Sequence, residues 1–389
     1  MKTVKLGDVC ATSAGGTPPK SHNEYYDKGV IPWLQSGEIN KKNILSSKSY
    51  ITEMGLANSS AKVFPAGTVL IAMYGATAGQ VGILRFKSST NQAVCGILPS
   101  DKYLPDYLYY FFLNHKSNLI AQAVGNAQPN ISQEKIKNVR VPVISIEEQR
   151  WVVERLDAAY EKIDRTIELT EKNIKNTDAL FGSLLDKIVR QNPDVEDRSI
   201  SEIADIEYGL TEKSKAKGDY RLIRITDINN EGFLTNENKA YVSASQKSEK
   251  YLLHNGDIVV ARTGATFGKV LFFDDEENAV FASYLIRINF NEKILPKLFW
   301  YFAKTPQYWD QANALAGGAA QPQFNGNALK RVKFSYPASR NEQQAIIEIL
   351  DTHHQSTLKL KTIYQKKLDG LNALKQALLT QAFSQDGVK

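Results

Sequence analysis

At 389 residues, with 42% hydrophobic and 23% charged side chains, the chain has the proportions of a folded globular protein and the length of two ordinary domains plus connecting elements. Its longest strongly apolar run, Leu108 to Leu113, is far short of the roughly 20 residues that cross a bilayer, and Asp8 interrupts the stretch where a secretion signal needs its apolar segment, so a cytoplasmic location is expected. A net charge of +6 permits a polyanion partner without demanding one, while Cys10 and Cys95 have no CxxC or histidine neighbour and are expected to be small buried residues rather than disulfide or zinc ligands.

The first predicted head, residues 1–145, carries short Gly-punctuated strands at Val69–Met73, Val81–Leu84 and Val94–Leu98. The stretch Pro105–Val124 starts with Pro near its first turn and gathers aromatic residues on one side, as a helix packed on a sheet does. A central long helix is predicted over 146–194. From Val153 onward Leu156, Tyr160, Ile163, Ile167, Thr170, Ile174, Thr177, Phe181, Leu184 and Ile188 alternate spacings of three and four, the heptad seam of a coiled coil. The second head, 195–338, repeats the strands at Ile258–Ala261, Lys269–Phe273 and Tyr284–Ile288 and has a helical stretch over Pro296–Ala316. A second long helix, 339–389, carries a looser seam of Ile347, Leu350, His354, Thr357, Leu360, Tyr364, Leu368, Leu371, Leu374 and Leu378, with Gly370 as its weak interior point.

The two halves are a repeat. Gly67, Gly75 and Gly79 recur 189 positions later as Gly256, Gly264 and Gly268, and Ile31–Ile39 matches Tyr220–Ile228 at the same spacing. Gln128-Pro129-Asn-Ile131 matches Gln321-Pro322-Gln-Phe324, and Glu148-Gln149 matches Glu342-Gln343. Two apolar helical stripes on repeated halves bury each other most economically as an antiparallel pair related by a pseudo-twofold axis, which places the heads at opposite ends. The fold class is therefore α+β, with two pseudo-symmetric heads joined by two long antiparallel coiled-coil helices.

Motifs for catalysis are absent. Gly264-Ala-Thr-Phe-Gly268-Lys269 has three residues between its glycines and is followed by Val270, which is not a nucleotide P-loop. There is no Asn-Pro-Pro-aromatic tetrapeptide and no Gly-x-Ser-x-Gly, and the five histidines occupy no metal-ligand spacing. No enzyme activity, cofactor or metal is implied. The Gly-Ala-Thr-x-Gly loops read either as hairpin turns or as places where backbone approaches a phosphate. Lys213, Lys215, Lys217, Arg221 and Arg224 form a basic segment that reads as a solvated loop, and Asp274–Glu277 reads as a solvated turn.

Gly16-Thr17-Pro18, Ile31-Pro32-Trp33-Leu34 with Glu38-Ile39, the Gly-Ala-Thr-x-Gly loop, Gln-Pro-x-Ile/Phe, and Glu-Gln at the start of a long helix, repeated in order, resemble the specificity subunit of type I restriction-modification enzymes along essentially the whole chain. The second head departs from the pattern with Tyr208-Gly209-Leu210-Thr211 and Leu222-Ile-Arg224. The resemblance implies two target-recognition domains that each read half of a split double-stranded DNA site. It also implies helices that hold them apart and receive two methyltransferase subunits, with restriction/translocase subunits joining through the methyltransferase core. Candidate base readers are Thr17, Lys20, Ser21, Gln35 and Glu38 in the first head and Lys213, Lys215, Arg224, Thr226 and Asp227 in the second. Tyr74, Thr77, Arg262, Thr266 and Lys269 are candidate phosphate or groove contacts, with Gln128 and Gln321 as further additions. The competing reading is a coiled-coil scaffold whose two heads bind protein, distinguished by weak salt dependence of duplex binding.

Overall fold

A computed structural model describes residues 2–121, 130–190, 194–317 and 323–384, which fall into two units, Met1–Leu169 with Lys367–Lys389, and Thr170–Lys366. In the first unit a five-stranded sheet has the order Thr12–Ala14, Val94–Ile97, Val69–Ala72, Val81–Leu84, Asn43–Ile44, antiparallel except for the last pair. Successive side chains of a strand point to opposite faces. Accordingly Val69 and Ile71 enter one core with Tyr107, Tyr110 and Phe112, while Leu70 and Ala72 enter another with Leu34, Ile39 and Phe64. All four residues are buried, because both faces of this strand are covered. A three-stranded sheet of Tyr50–Ile51, Ile31–Leu34 and Ser89–Thr90 and a pair of Thr3–Lys5 with Arg140–Pro142 complete the head.

The second unit repeats this plan. Its four-stranded sheet runs Ala204–Tyr208, Leu285–Phe290, Ile258–Ala261, Val270–Phe272, its three-stranded sheet is Tyr241–Val242, Tyr220–Ile223, Ala279–Phe281, and Val195–Ser199 pairs with Lys333–Pro337. Ile258 and Val260 face the aromatic core of Phe299, Trp300 and Tyr308, and Val259 and Ala261 face Ile223, Phe273 and Phe281. The registers also repeat, since Ile71 opposes Cys95 and Val260 opposes Ile286. Both cysteines are buried.

One of the two helical expectations is corrected. Pro105–Ala121 is one continuous helix, with residues 122–124 of the expected stretch outside the described residues, but the stretch expected over Pro296–Ala316 divides into Pro296–Phe302 and Pro306–Leu315. Pro306 lacks an N–H and its ring clashes with the preceding turn, so the chain stops and restarts, and the Thr305 hydroxyl caps the new helix by accepting from the Tyr308 N–H at 3.3 Å.

The long helices are Ile146–Arg190 and Arg340–Ala382. In the first unit the early part of the first helix meets the late part of the second, where the Tyr160 hydroxyl donates to the Lys375 carbonyl at 3.1 Å and Lys375 pairs with Asp164 at 2.6 Å. In the second unit Ile188 packs on the core that holds Ile346, Ile347 and Leu350. That order is antiparallel. The seam of the first helix is inward, with Leu156, Ile163 and Thr170 buried. In the second helix Leu360 and Leu374 are 38% and 45% exposed, contrary to the expected seam, and the buried position near the end is Leu379. The last turns there pack on Tyr107 and Phe111 of the first head as well as on a helix, which rotates the buried face. Among the described residues no helix is long and apolar enough to cross a membrane.

Candidate nucleic-acid interface

In each head the central strand runs into the Gly-Ala-Thr-x-Gly loop, which folds as a 3₁₀ turn over Gly75–Thr77 and Gly264–Thr266. Gly75 and Gly264 take φ of +77° and +73°, a conformation that side chains disfavour, and a Cβ at either would meet nothing within 4 Å. Glycine is therefore demanded by the backbone and not by crowding, and the tip of the turn stands in the open. The closing residues, Gly79 and Gly268, are held by their N–H groups donating to Ala72 and Ala261 at 2.8 and 2.7 Å.

Gln128 and Gln321 lie outside the described residues, but the residues that follow them come to this loop. The Ile131 N–H donates to the Met73 carbonyl and the Phe324 N–H to that of Arg262, both at 2.7 Å, while Asn130 bridges Tyr74 and Gln323 bridges Thr263. Two motifs about fifty residues apart in sequence thus sit side by side, in both heads. Tyr74 and Thr77 are half-buried, and burial raises the Tyr74 hydroxyl above its ordinary pKa. Thr266 turns its hydroxyl to the Thr263 carbonyl at 3.4 Å, and Lys269 reaches Asn230 at 2.7 Å.

The candidate base readers divide into exposed and occupied groups. Lys20, Ser21, Gln35, Lys213 and Thr226 are exposed, and exposed Lys215 donates to the Ser243 hydroxyl at 2.8 Å. The Thr17 hydroxyl bonds Gln92, beside a loop fastened by the buried Trp33 indole donating to the Gly16 carbonyl at 2.9 Å. Glu38 accepts the Gln35 and Lys48 N–H groups at 2.9 and 2.8 Å. Asp227, 2% exposed, accepts the Arg224 N–H at 2.7 Å and its guanidinium through two bonds, and this pairing holds Arg224 above its ordinary pKa. Glu38 and Asp227 occupy equivalent places in the repeat and do equivalent work: each shapes the turn that presents its neighbours.

The acidic and basic runs are not both solvated. Arg221 is 1% exposed, with its guanidinium 3.4 Å from Glu277 and 3.9 Å from Asp275. The Asp274–Glu277 turn is therefore the counter-ion of a buried arginine, because a guanidinium withdrawn from water must be compensated. Among the described residues no group of three His, Cys, Asp or Glu could hold a metal ion.

What sequence reading missed is the fastening of heads to helices. Gln149, wholly buried, accepts the Leu104 N–H at 2.8 Å and donates to the carbonyls of Lys102 and Ile144. Gln343, likewise buried, accepts the Leu295 N–H at 2.8 Å and donates to the carbonyls of Lys293 and Pro337. Beside each, a tyrosine from the head's helix donates to an aspartate on the long helix: Tyr110 to Asp157 at 2.5 Å, and Tyr301 to Asp351. The repeated Glu-Gln pair was the available signal.

Residues 1–177 and again 192–369 match the family model described as type I restriction modification DNA specificity domain. The chain is 28% identical over 190 residues to the EcoR124I/EcoR124II specificity subunit of Escherichia coli, 46% of this chain and 47% of that relative, so that alignment spans about half the relative's length. It is 22% identical over 410 residues to the StySPI specificity subunit of Salmonella potsdam, covering 98% and 88% of the two chains. A solved structure described as underlying complex assembly and conformational transition of the type I R-M system shares the fold with a TM-score of 0.78 at 18% identity, over 99% of this chain and 98% of that one.

Proposed function

The chain belongs to the type I restriction-modification DNA specificity family, and on that footing we propose that its heads, 1–145 and 195–338, each read one half of a split double-stranded DNA sequence. The long helices, 146–194 and 339–389, fix the spacing between half-sites and receive two methyltransferase subunits, through which restriction/translocase subunits join. The chain itself contributes recognition and no chemistry. The observation that supports this most is the open-tipped glycine turn lying beside the segment that follows Gln-Pro, built in the same way in both heads. One short reader discriminates by roughly 1–3 kcal/mol per base pair, so two readers at a fixed separation multiply selectivity. Exposed Lys20, Ser21, Gln35, Lys213 and Thr226 are the side chains best placed to meet base edges, and the two turns to meet backbone.

The test is to express the full chain with its methyltransferase partner and map methylated adenines genome-wide. A motif of two specific parts with an unspecified spacer is expected, and purified chain alone transfers no methyl group. A single contiguous motif, or methylation by the isolated chain, refutes the reading.

A further inference from the structure

The two heads share a backbone frame at the glycine turn, so their side chains can be compared place by place. Ala72 opposes Val94 and Ala261 opposes Leu285, while Ala14 opposes Cys95 and Tyr208 opposes Ile286. The next residue keeps the match: the Met73 N–H donates to the Ala93 carbonyl at 2.8 Å, and the Arg262 N–H to that of Tyr284 at 3.0 Å. Tyr208, Arg262 and Tyr284 of the second head therefore stand where the first head has Ala14, Met73 and Ala93. All three differ together while the hydrogen bonds beneath them are unchanged.

In the second head these residues form one cluster. The Arg262 guanidinium carbon lies 5.2 Å from the Tyr208 ring centroid and 5.5 Å from that of Tyr284, and the Tyr208 hydroxyl is pinned by accepting the Gly326 N–H at 2.8 Å. Tyr208 and Tyr284 are 40% and 53% exposed as whole residues. Other arginines drawn into this head have counter-ions: Arg221 with Glu277, Arg224 with Asp227, and Arg287 with Glu207 and Asp257. Arg262 has no ion pair among the described residues; its Nε is buried without a hydrogen-bond partner, as are those of Arg221 and Arg287, so the missing counter-ion is what sets Arg262 apart. Tyrosine faces stabilise the cation and fix its plane, but they do not satisfy its N–H fork. The fork is complete only when an outside acceptor meets it.

We infer that Arg262, held between Tyr208 and Tyr284, reads a guanine in the half-site of the second head, and that the first head has no counterpart to this contact. The inference rests on the DNA-recognition function proposed above. Guanine offers O6 and N7 as a paired acceptor in the major groove, the match for a planar fork. A phosphate would also accept from it, but a phosphate anchor serves any sequence and would be retained by both heads of a repeat. A residue replaced in concert with its two supports, on an unchanged backbone, behaves as a determinant of which base is read.

The test uses the full chain in complex with its methyltransferase partner. The parent complex must first methylate a split motif, and failure at that step counts against the proposed function and not against this assignment. Arg262→Met installs the residue that the first head carries at the same place, and Arg262→Lys keeps the charge without the fork. Both are expected to lose discrimination at one G·C pair of one half-site, by roughly ten- to a hundredfold in binding to duplexes substituted at that pair, while the other half-site is unchanged. Should Arg262→Met not accumulate as folded chain, Tyr284→Leu removes one exposed wall of the clamp and should relax the same pair. Uniform weakening on all duplexes with the motif intact, restored by Arg262→Lys, makes Arg262 a phosphate anchor and overturns the assignment. So does an unaltered motif in Tyr284→Leu.

Discussion

Replacing Gln343 with leucine keeps the volume of a wholly buried side chain but removes its three hydrogen bonds, which run at 2.8 Å from the Leu295 N–H and at 2.9 and 2.8 Å to the carbonyls of Lys293 and Pro337. The three backbone groups stay enclosed and lose their partner. At about 1 kcal/mol or somewhat more for each, the junction between the second head and its helix should lose about 2–4 kcal/mol. Denaturation of a two-unit chain does not return one free energy, so the assay is site-resolved amide exchange. The Leu295 amide should exchange roughly 30- to 700-fold faster, at about 1.4 kcal/mol per tenfold, while the Leu104 amide, bonded to Gln149 in the other unit, keeps its rate. Unchanged exchange at Leu295, or equal acceleration at Leu104, would refute the claim that these glutamines are local fasteners.

Two further outcomes follow from buried charge. His354 packs against Phe233, Trp300 and Tyr301, and burial, reinforced by Lys304, Lys361 and Lys297 and opposed by Asp351, pushes its imidazole down to about 4 from an ordinary value near 6.5. The unfolded chain therefore binds this proton first: the contribution to stability is intact above pH 6.5 and is lost as pH falls toward 4, at no more than about 1.4 kcal/mol per pH unit. Melting temperature measured against pH should be flatter in His354→Leu over that interval, and parallel curves would rule out His354 as the source. Glu277→Gln weakens the compensation of the Arg221 cation and should cost about 2–3 kcal/mol of second-unit stability, because Glu277 is itself partly exposed; adding Arg221→Met should recover most of the loss. Chemical denaturation followed by a probe in the second unit checks both, and a double variant no better than the single one contradicts the pairing.

Periodicity and spacing made the repeat, the central strands and the two long helices legible, since Val69–Ala72 and Ile258–Ala261 are buried runs and the heptad stripes are long. Where a property depends on distant partners the sequence was silent. Arg221 reads as one of a basic run because its counter-ions lie more than fifty residues away. Leu374 fits a heptad but is exposed, because the final turns of its helix answer to the first head as well. The Glu-Gln pairs were visible as a recurring signal, yet the glutamines bind backbone carbonyls and amides, which leave no trace in side-chain identity. In the site, the glycine turns were found by their residues, whereas the Tyr208–Arg262–Tyr284 cluster draws on three strand ends and only the register unites them.

The first unit is assembled from both ends of the chain. Leu379 is 1% exposed within the core of the first head, and Phe383 meets Tyr107 and Phe111 with ring centroids 5.4 and 5.7 Å away. The second unit, Thr170–Lys366, is one uninterrupted stretch. During synthesis, then, the order of emergence and the order of completion are inverted. The head made first must wait, with part of its aromatic core uncovered, until Leu379 and Phe383 leave the ribosome, whereas the later half has all its pieces as soon as Lys366 is free. An early stop codon in the last turns would spare the second unit and strike the first, nearly the whole chain away.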